Sequence, residues 1–105
     1  MKILGVTACP TGIAHTYMAA EALEKEAKSR GYEVKVETQG SIGIENEITE
    51  KDISGADVVI LTKDIAIKNK ERFKNIPTVN VGIGDLIKKT SALLDKIEEH
   101  LNKNK

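Results

Sequence analysis

Two stretches of the chain are apolar almost without interruption, Ile3-Leu4-Gly5-Val6 and Val58-Val59-Ile60-Leu61. Runs of this kind suit central strands covered on both faces. Tyr32-Glu33-Val34-Lys35-Val36-Glu37 alternates instead, which suits a strand that is wetter on one side. With the short run Thr78–Val81, these define four expected strands: Lys2–Thr7, Tyr32–Thr38, Asp57–Leu61 and Thr78–Val81. Between the first two, Ile13, Tyr17, Ala20, Leu23 and Ala27 recur at steps of three and four, so they share one face of a helix. Glu21/Lys25 and Glu24/Lys28 are spaced as i,i+4 pairs on its outer side, and Gly31 follows as a stop. A last helix is expected from Asp85, its N-cap, to Leu101, with the stripe Leu86, Thr90, Leu93/Leu94, Ile97 and Leu101. Thr49 followed by Asp52 has the spacing of a capping box for a short helix near Thr49–Ser54. Lys68–Phe73 is a weaker helical turn.

Strand and helix alternate along the whole chain, the pattern of a parallel sheet with right-handed crossovers. The expectation is one small, doubly wound α/β domain over residues 1–105, with a four-stranded parallel sheet ordered 2-1-3-4 and helices flanking it. In such sheets ligands bind beyond the carboxyl ends of the strands, at a topological switch point. The segments leaving that edge are the one after strand 1, Gln39–Gly43, Thr62–Asp64 and Val81–Gly84.

Composition narrows the function. Apolar residues make up 40%, charged residues 30%, and the formal net charge is zero, an ordinary globular balance. Zero net charge argues against nucleic-acid binding driven by bulk electrostatics. The rings are few (Tyr17, Tyr32, Phe73), too few for a base-stacking platform. No apolar run approaches the roughly 20 residues that span a bilayer, and the amino terminus lacks a signal-peptide pattern. His15, His100 and a single cysteine match no metal-ligand spacing, and no cofactor motif of the Gly-x4-Gly-Lys-Ser/Thr or Gly-x-Gly-x-x-Gly kind is present. One free cysteine fits a reducing cytoplasm and leaves no partner for dithiol redox chemistry.

That cysteine, Cys9, sits where the first strand turns into the first helix. The following segment is Pro10-Thr11-Gly12-Ile13-Ala14-His15-Thr16. A loop entering a helix N-terminus directs backbone N–H groups at an anion, and the helix end favours a thiolate. The segment therefore reads as a phosphate-binding loop, with Cys9 as nucleophile, Thr11 and Thr16 as hydroxyl donors, and Gly12 allowing close backbone approach. His15 has two readings, a phosphate or thiolate partner and a plain first-turn residue. Thr16 is either a ligand or an intrahelical hydroxyl. Met18 reads as core or near-site packing, with a docking surface as the alternative. Gln39–Gly43 is either a flexible turn or a border of the site. His100, Lys88 and Lys89 read as solvated surface.

Cys9 to His15 is Cys-x5-His, followed by Thr16. Low-molecular-weight tyrosine phosphatases carry Cys-x5-Arg followed by Ser or Thr at the same place between strand and helix. The alternative reading is therefore a phosphatase-like hydrolase. Here histidine stands at the arginine position, and the only arginines, Arg30 and Arg72, lie elsewhere in the sequence. Without a guanidinium fork on the phosphate, a phosphocysteine should persist, which favours relay over hydrolysis.

The run from Ala8 through Leu23, Ala8-Cys9-Pro10-Thr11-Gly12-Ile13-Ala14-His15-Thr16-Tyr17-Met18-Ala19-Ala20-Glu21-Ala22-Leu23, resembles the signature of the fructose-type enzyme IIB component of the bacterial sugar phosphotransferase system. The family commonly has Phe where this chain has Tyr17. Val36-Glu37-Thr38-Gln39-Gly40-Ser41-x-Gly43, Asn46-x-x-Thr49 and Ala56-Asp57-x-Val59-Ile60 resemble further family segments, and the likeness weakens after Ile65. The resemblance implies that a phosphohistidine on an enzyme IIA donates its phosphoryl group to Cys9. The group then passes to a sugar held by the membrane enzyme IIC. It implies a cytoplasmic protein held at the inner face of the membrane through enzyme IIC, without insertion of its own. Fructose is the family's default sugar, beside mannose-like and mannosylglycerate substrates.

Overall fold

A computed structural model describes residues 1–8, 13–40, 43–64 and 66–103, with residues 13, 14, 102 and 103 described by backbone alone. The elements run β1 (Lys2–Ala8), α1 (Ile13–Ser29), β2 (Glu33–Gly40), β3 (Gly43–Glu45), α2 (Glu50–Ser54), β4 (Val58–Thr62), β5 (Thr78–Val81), α3 (Ile83–Lys88) and α4 (Thr90–Lys103). The helical turn expected over Lys68–Phe73 is a 3-10 turn at Lys70–Phe73.

The sheet has five strands in the order β3-β2-β1-β4-β5. β1 is central and pairs in parallel with β2, from Lys2↔Glu33 to Ala8↔Gln39, and with β4, from Ile3↔Val58 to Val6↔Leu61. β5 adds in parallel to β4. These four strands have the expected order. The fifth corrects the expected strand count: β3 pairs antiparallel with β2, from Thr38↔Glu45 to Gly40↔Gly43. Its three residues are all exposed, so they carry no apolar alternation to read. Gly43 has φ +108, a backbone that suits glycine.

Successive side chains of β1 feed two cores. Ile3 packs with Ala19, Leu23, Ala27, Leu86, Leu94 and Ile97, beneath α1, α3 and α4. Leu4, Val6 and Ala8 pack on the opposite face with Ile48, Leu61 and Phe73. Gly5 faces α1: a Cβ there would sit 2.6 Å from Leu23 Cδ2, so only glycine allows this close approach.

The buried face of α1 is rotated from its expected setting. The buried residues include Thr16, Ala19, Ala20, Leu23 and Ala27, whereas Tyr17 is 38% exposed and Met18 49%. Small residues face the sheet and the bulky pair is turned out, which corrects the expectation of Tyr17 on the buried face and Met18 in packing. β2 also departs from simple alternation, because Val36, Glu37, Thr38 and Gln39 are all buried. The expected single last helix is two. Lys89 has φ −124 and interrupts it, and the Thr90 hydroxyl donates to the Leu86 carbonyl across the break. Gly82 rather than Asp85 is the N-cap of α3, and the distant Asp64 Oδ2 accepts from Ile83 N–H at 2.7 Å.

The capping box of α2 forms as expected. Asp52 Oδ2 accepts from Thr49 N–H at 2.9 Å, and Thr49 Oγ1 accepts from Asp52 N–H at 3.3 Å. Lys35 Nζ reaches Asp52 Oδ2 at 2.7 Å and joins α2 to β2. Lys35 first, then the Thr49 amide, bring the Asp52 carboxyl down to about 2. A lowered acid contributes stability above its ordinary value, and this contribution is lost as pH falls through its folded-state value. Asp52→Ala is expected to cost about 1 kcal/mol near neutral pH in urea unfolding, with the cost fading on acidification.

Candidate functional site

The chain crosses from β1 to β2 on one side and reaches β4 on the other, so the sheet's switch point lies between the carboxyl ends of β1 and β4. Cys9 is the residue after β1. Cys9, Pro10, Thr11 and Gly12 lie outside the described residues, as do the side chains of Ile13 and Ala14; the flanking elements are described. His15 and Thr16 fall in the first turn of α1. His15 is exposed, and Thr16 is buried.

Side-chain hydroxyls hold both flanks of residues 9–12. Thr7 Oγ1 donates to the Thr16 carbonyl at 3.0 Å, tying the end of β1 to the start of α1. Ala8 N–H donates to Thr62 Oγ1 at 2.9 Å, and Thr62 Oγ1 donates to Ala8 O at 3.2 Å. The Thr16 hydroxyl is buried without a hydrogen-bond partner among the described residues. A buried hydroxyl left unpaired is costly unless something else satisfies it.

Beside β1, the carboxyl half of β2 is held by a buried polar network that sequence reading missed. Glu37 is fully buried; its Oε2 meets Arg72 Nη2 at 2.6 Å and its Oε1 accepts from Ile48 N–H at 2.9 Å. Gln39 Nε2 donates to Glu37 Oε2 at 2.7 Å and to the Lys68 carbonyl at 3.0 Å, while Gln39 Oε1 accepts from Lys68 N–H at 2.9 Å. Arg72 also donates to Ile48 O at 3.0 Å and stacks 4.6 Å from the centre of the Phe73 ring. Burial pushes the Glu37 carboxyl up, but Arg72, Ile48 and Gln39 together outweigh it, and the group stays ionised below its ordinary value. Gln39 is therefore not part of a flexible turn. Its amide fastens β2 to the segment after β4. Ser41 and Ile42 lie outside the described residues.

The hairpin borders the same edge. Tyr17 Oη donates to Glu45 Oε1, linking the second turn of α1 to β3. The signal for this link was the tyrosine at position 17, whose hydroxyl needs an exposed polar partner. An open cleft of about 540 Å³ lies between the amino end of β5 and α4, at the end of the sheet opposite the carboxyl end of β1. Among the described residues no cluster of His, Cys, Asp or Glu is arranged to hold a metal ion, and no helix is long and apolar enough to cross a membrane.

Comparison with known proteins finds matches along nearly the whole chain. Residues 4–96 match the family model described as "PTS system, Lactose/Cellobiose specific IIB subunit". The chain is 63% identical over 100 residues to the "PTS system fructose-like EIIB component 2" of Escherichia coli K12, covering 95% of this chain and 94% of the relative. It is 50% identical over 95 residues to the "PTS system fructose-specific EIIB'BC component" of the same organism, covering 90% of this chain and 17% of that longer one. The solution structure of an enzyme IIB subunit of the PTS from Escherichia coli K12 superposes with a TM-score of 0.91 at 40% identity, covering 98% of this chain and 95% of the other. The sugars in these descriptions differ between family model and relatives, while the component, IIB, is the same throughout.

Proposed function

This chain belongs to the IIB family of the sugar phosphotransferase system, a phosphotransferase component, and we propose that Cys9 is the residue through which its phosphoryl group passes. The Cys9 thiolate attacks the phosphorus of a phosphohistidine on an enzyme IIA. The S–P bond forms as the N–P bond breaks and the donor imidazole leaves. A hydroxyl of the sugar held by membrane enzyme IIC then attacks the same phosphorus. The O–P bond forms, the S–P bond breaks, and the hydroxyl proton is released.

One observation carries the reading: the chain's only cysteine is next in sequence after the central strand, whose carboxyl end borders the switch point, and comes shortly before a 17-residue helix. The N-terminus of a helix favours both a thiolate and the dianion that replaces it. No arginine lies between Cys9 and Thr16 to grip the phosphoryl group for hydrolysis. The loop from Pro10 to Thr16 is the phosphate cradle, with Thr16 offering its buried hydroxyl. Fructose is the sugar that the names of the relatives support. A relative whose name joins B and C components supports enzyme IIC as the partner. The chain then works in the cytoplasm, at the inner face of the membrane.

Incubation with phosphoenolpyruvate and the upstream carriers should add one phosphoryl group by intact-protein mass spectrometry, and Cys9→Ser should add none. An unmodified wild-type chain with cognate carriers present overturns the reading. Steady turnover of an aryl phosphate by the isolated domain would replace it with the hydrolase. The Cys9 alkylation rate against pH is expected to give an apparent pKa below the ordinary thiol value of about 8.5.

A further inference from the structure

We infer that Thr62 is a positioning residue for the Cys9 segment: its hydroxyl closes a two-bond clasp on Ala8 and sets the direction in which the chain leaves β1. The inference rests on the reading of Cys9 as phosphoryl acceptor. The backbone ladder between β1 and β4 runs from Ile3↔Val58 to Val6↔Leu61. Beyond it the Thr62 side chain serves both polar groups of Ala8, accepting from N–H at 2.9 Å and donating to the carbonyl at 3.2 Å. A hydroxyl has one proton and two lone pairs, so both bonds coexist. Ala8 is fully buried and Thr62 is 1% exposed, so water does not compete. Threonine is β-branched, which stiffens its χ1 and holds the oxygen in place.

The consequence for residue 9 is covalent. The Ala8 carbonyl belongs to the peptide unit that ends in the nitrogen and Cα of the next residue, and that unit is planar. Orienting the carbonyl orients the first bond of the segment that carries the thiol. The far end is held separately by Thr7 Oγ1 on the Thr16 carbonyl. Valine at position 62 keeps the shape and the strand preference but removes the clasp. Serine keeps the hydroxyl.

The test compares wild type, Thr62→Val and Thr62→Ser in two assays, with circular dichroism to check folding. One is the rate of phosphoryl uptake from phosphoenolpyruvate through the upstream carriers. The other is iodoacetamide alkylation of Cys9 against pH, which needs no carrier. Small displacements of a nucleophile cost rate steeply, so Thr62→Val should slow uptake about tenfold or more while Thr62→Ser stays within about twofold. The Thr62→Val alkylation profile should also move to higher pH under conditions where circular dichroism shows the variant fully folded, which separates the shift from unfolding. A folded Thr62→Val with wild-type uptake and a wild-type profile overturns the inference. Should it not fold, Thr62→Ala takes its place, and wild-type uptake and profile in that variant overturn the inference equally. If wild type takes up no phosphoryl group, the reading of Cys9 fails, and the alkylation profiles alone decide the clasp.

Discussion

Arg72→Met should lower the stability of this domain by about 3 to 5 kcal/mol near neutral pH, read from urea unfolding midpoints. The loss comes from what remains behind. Glu37 is fully buried, and Arg72 Nη2 at 2.6 Å supplies its counter-charge. Without the guanidinium, an ionised carboxylate stays in a site closed to water. Domains of this kind have about 5 to 15 kcal/mol of total stability, so the variant is expected to be marginal. Adding Glu37→Gln should recover part of the loss, because the amide oxygen still accepts from Ile48 N–H while the stranded charge is gone. A double variant no more stable than Arg72→Met would show that Arg72 acts through its stacking on Phe73 and its bond to Ile48 O instead.

The sign of the pH dependence separates these explanations further. In the wild type the Glu37 carboxyl lies below its ordinary value, since burial, which raises it, is outweighed by Arg72, Ile48 and Gln39. Such a group contributes stability above its ordinary value, and the contribution is lost as pH falls through the folded-state value. With Arg72 removed, burial dominates and the folded-state value moves above the ordinary one. The variant's Glu37 then costs stability as pH rises. The gap between wild type and Arg72→Met should therefore narrow on acidification, and a gap independent of pH would place the effect elsewhere.

Whether a feature was legible in the sequence depended on how far apart its partners lie. The α2 capping box joins residues three apart and formed as expected. The strand before Cys9 and the helix after it needed only an apolar run and an alanine-rich run, both close to it in sequence, and formed as expected. Glu37 and Arg72 are 35 positions apart, and a glutamate in an alternating strand reads as solvent-facing until its partner is known. β3 is three exposed residues whose strand character comes from pairing with β2. Asp64 caps a helix that begins 19 positions later, so the local candidate, Asp85, was read instead. The rotation of α1 was hidden for the same reason, because its buried face meets β1, a different element, where Gly5 lies against Leu23.

The contact between Gly5 and Leu23 gives the second large effect. Leu23→Ala should cost about 3 to 4 kcal/mol, since Leu23 is fully buried between α1 and β1 and its removal leaves a cavity. Gly5→Ala should also destabilise, by about 1 to 3 kcal/mol, because the new methyl would meet Leu23 Cδ2 at 2.6 Å. Together the two changes should not add. With Leu23 truncated, the methyl at position 5 enters the vacated space, and its other neighbours, the Val36 methyls, stand at an ordinary 3.6 Å. Alanine also removes unfolded-state freedom that glycine allows. Gly5→Ala should therefore be neutral or stabilising in the Leu23→Ala background, a reversal of sign that four unfolding curves can measure. An equal cost in both backgrounds would mean that this contact does not set the helix-to-sheet distance. That distance carries function as well as stability. Gly5 lies three residues before the end of β1, and Leu23 lies on the helix whose first turn receives the Thr7 hydroxyl. Forcing α1 away from the sheet would move the N-terminus of α1 relative to the residue that follows Ala8. Gly5→Ala is thus expected to slow phosphoryl uptake at Cys9 by more than its loss of stability explains, with the rate partly restored in the double variant.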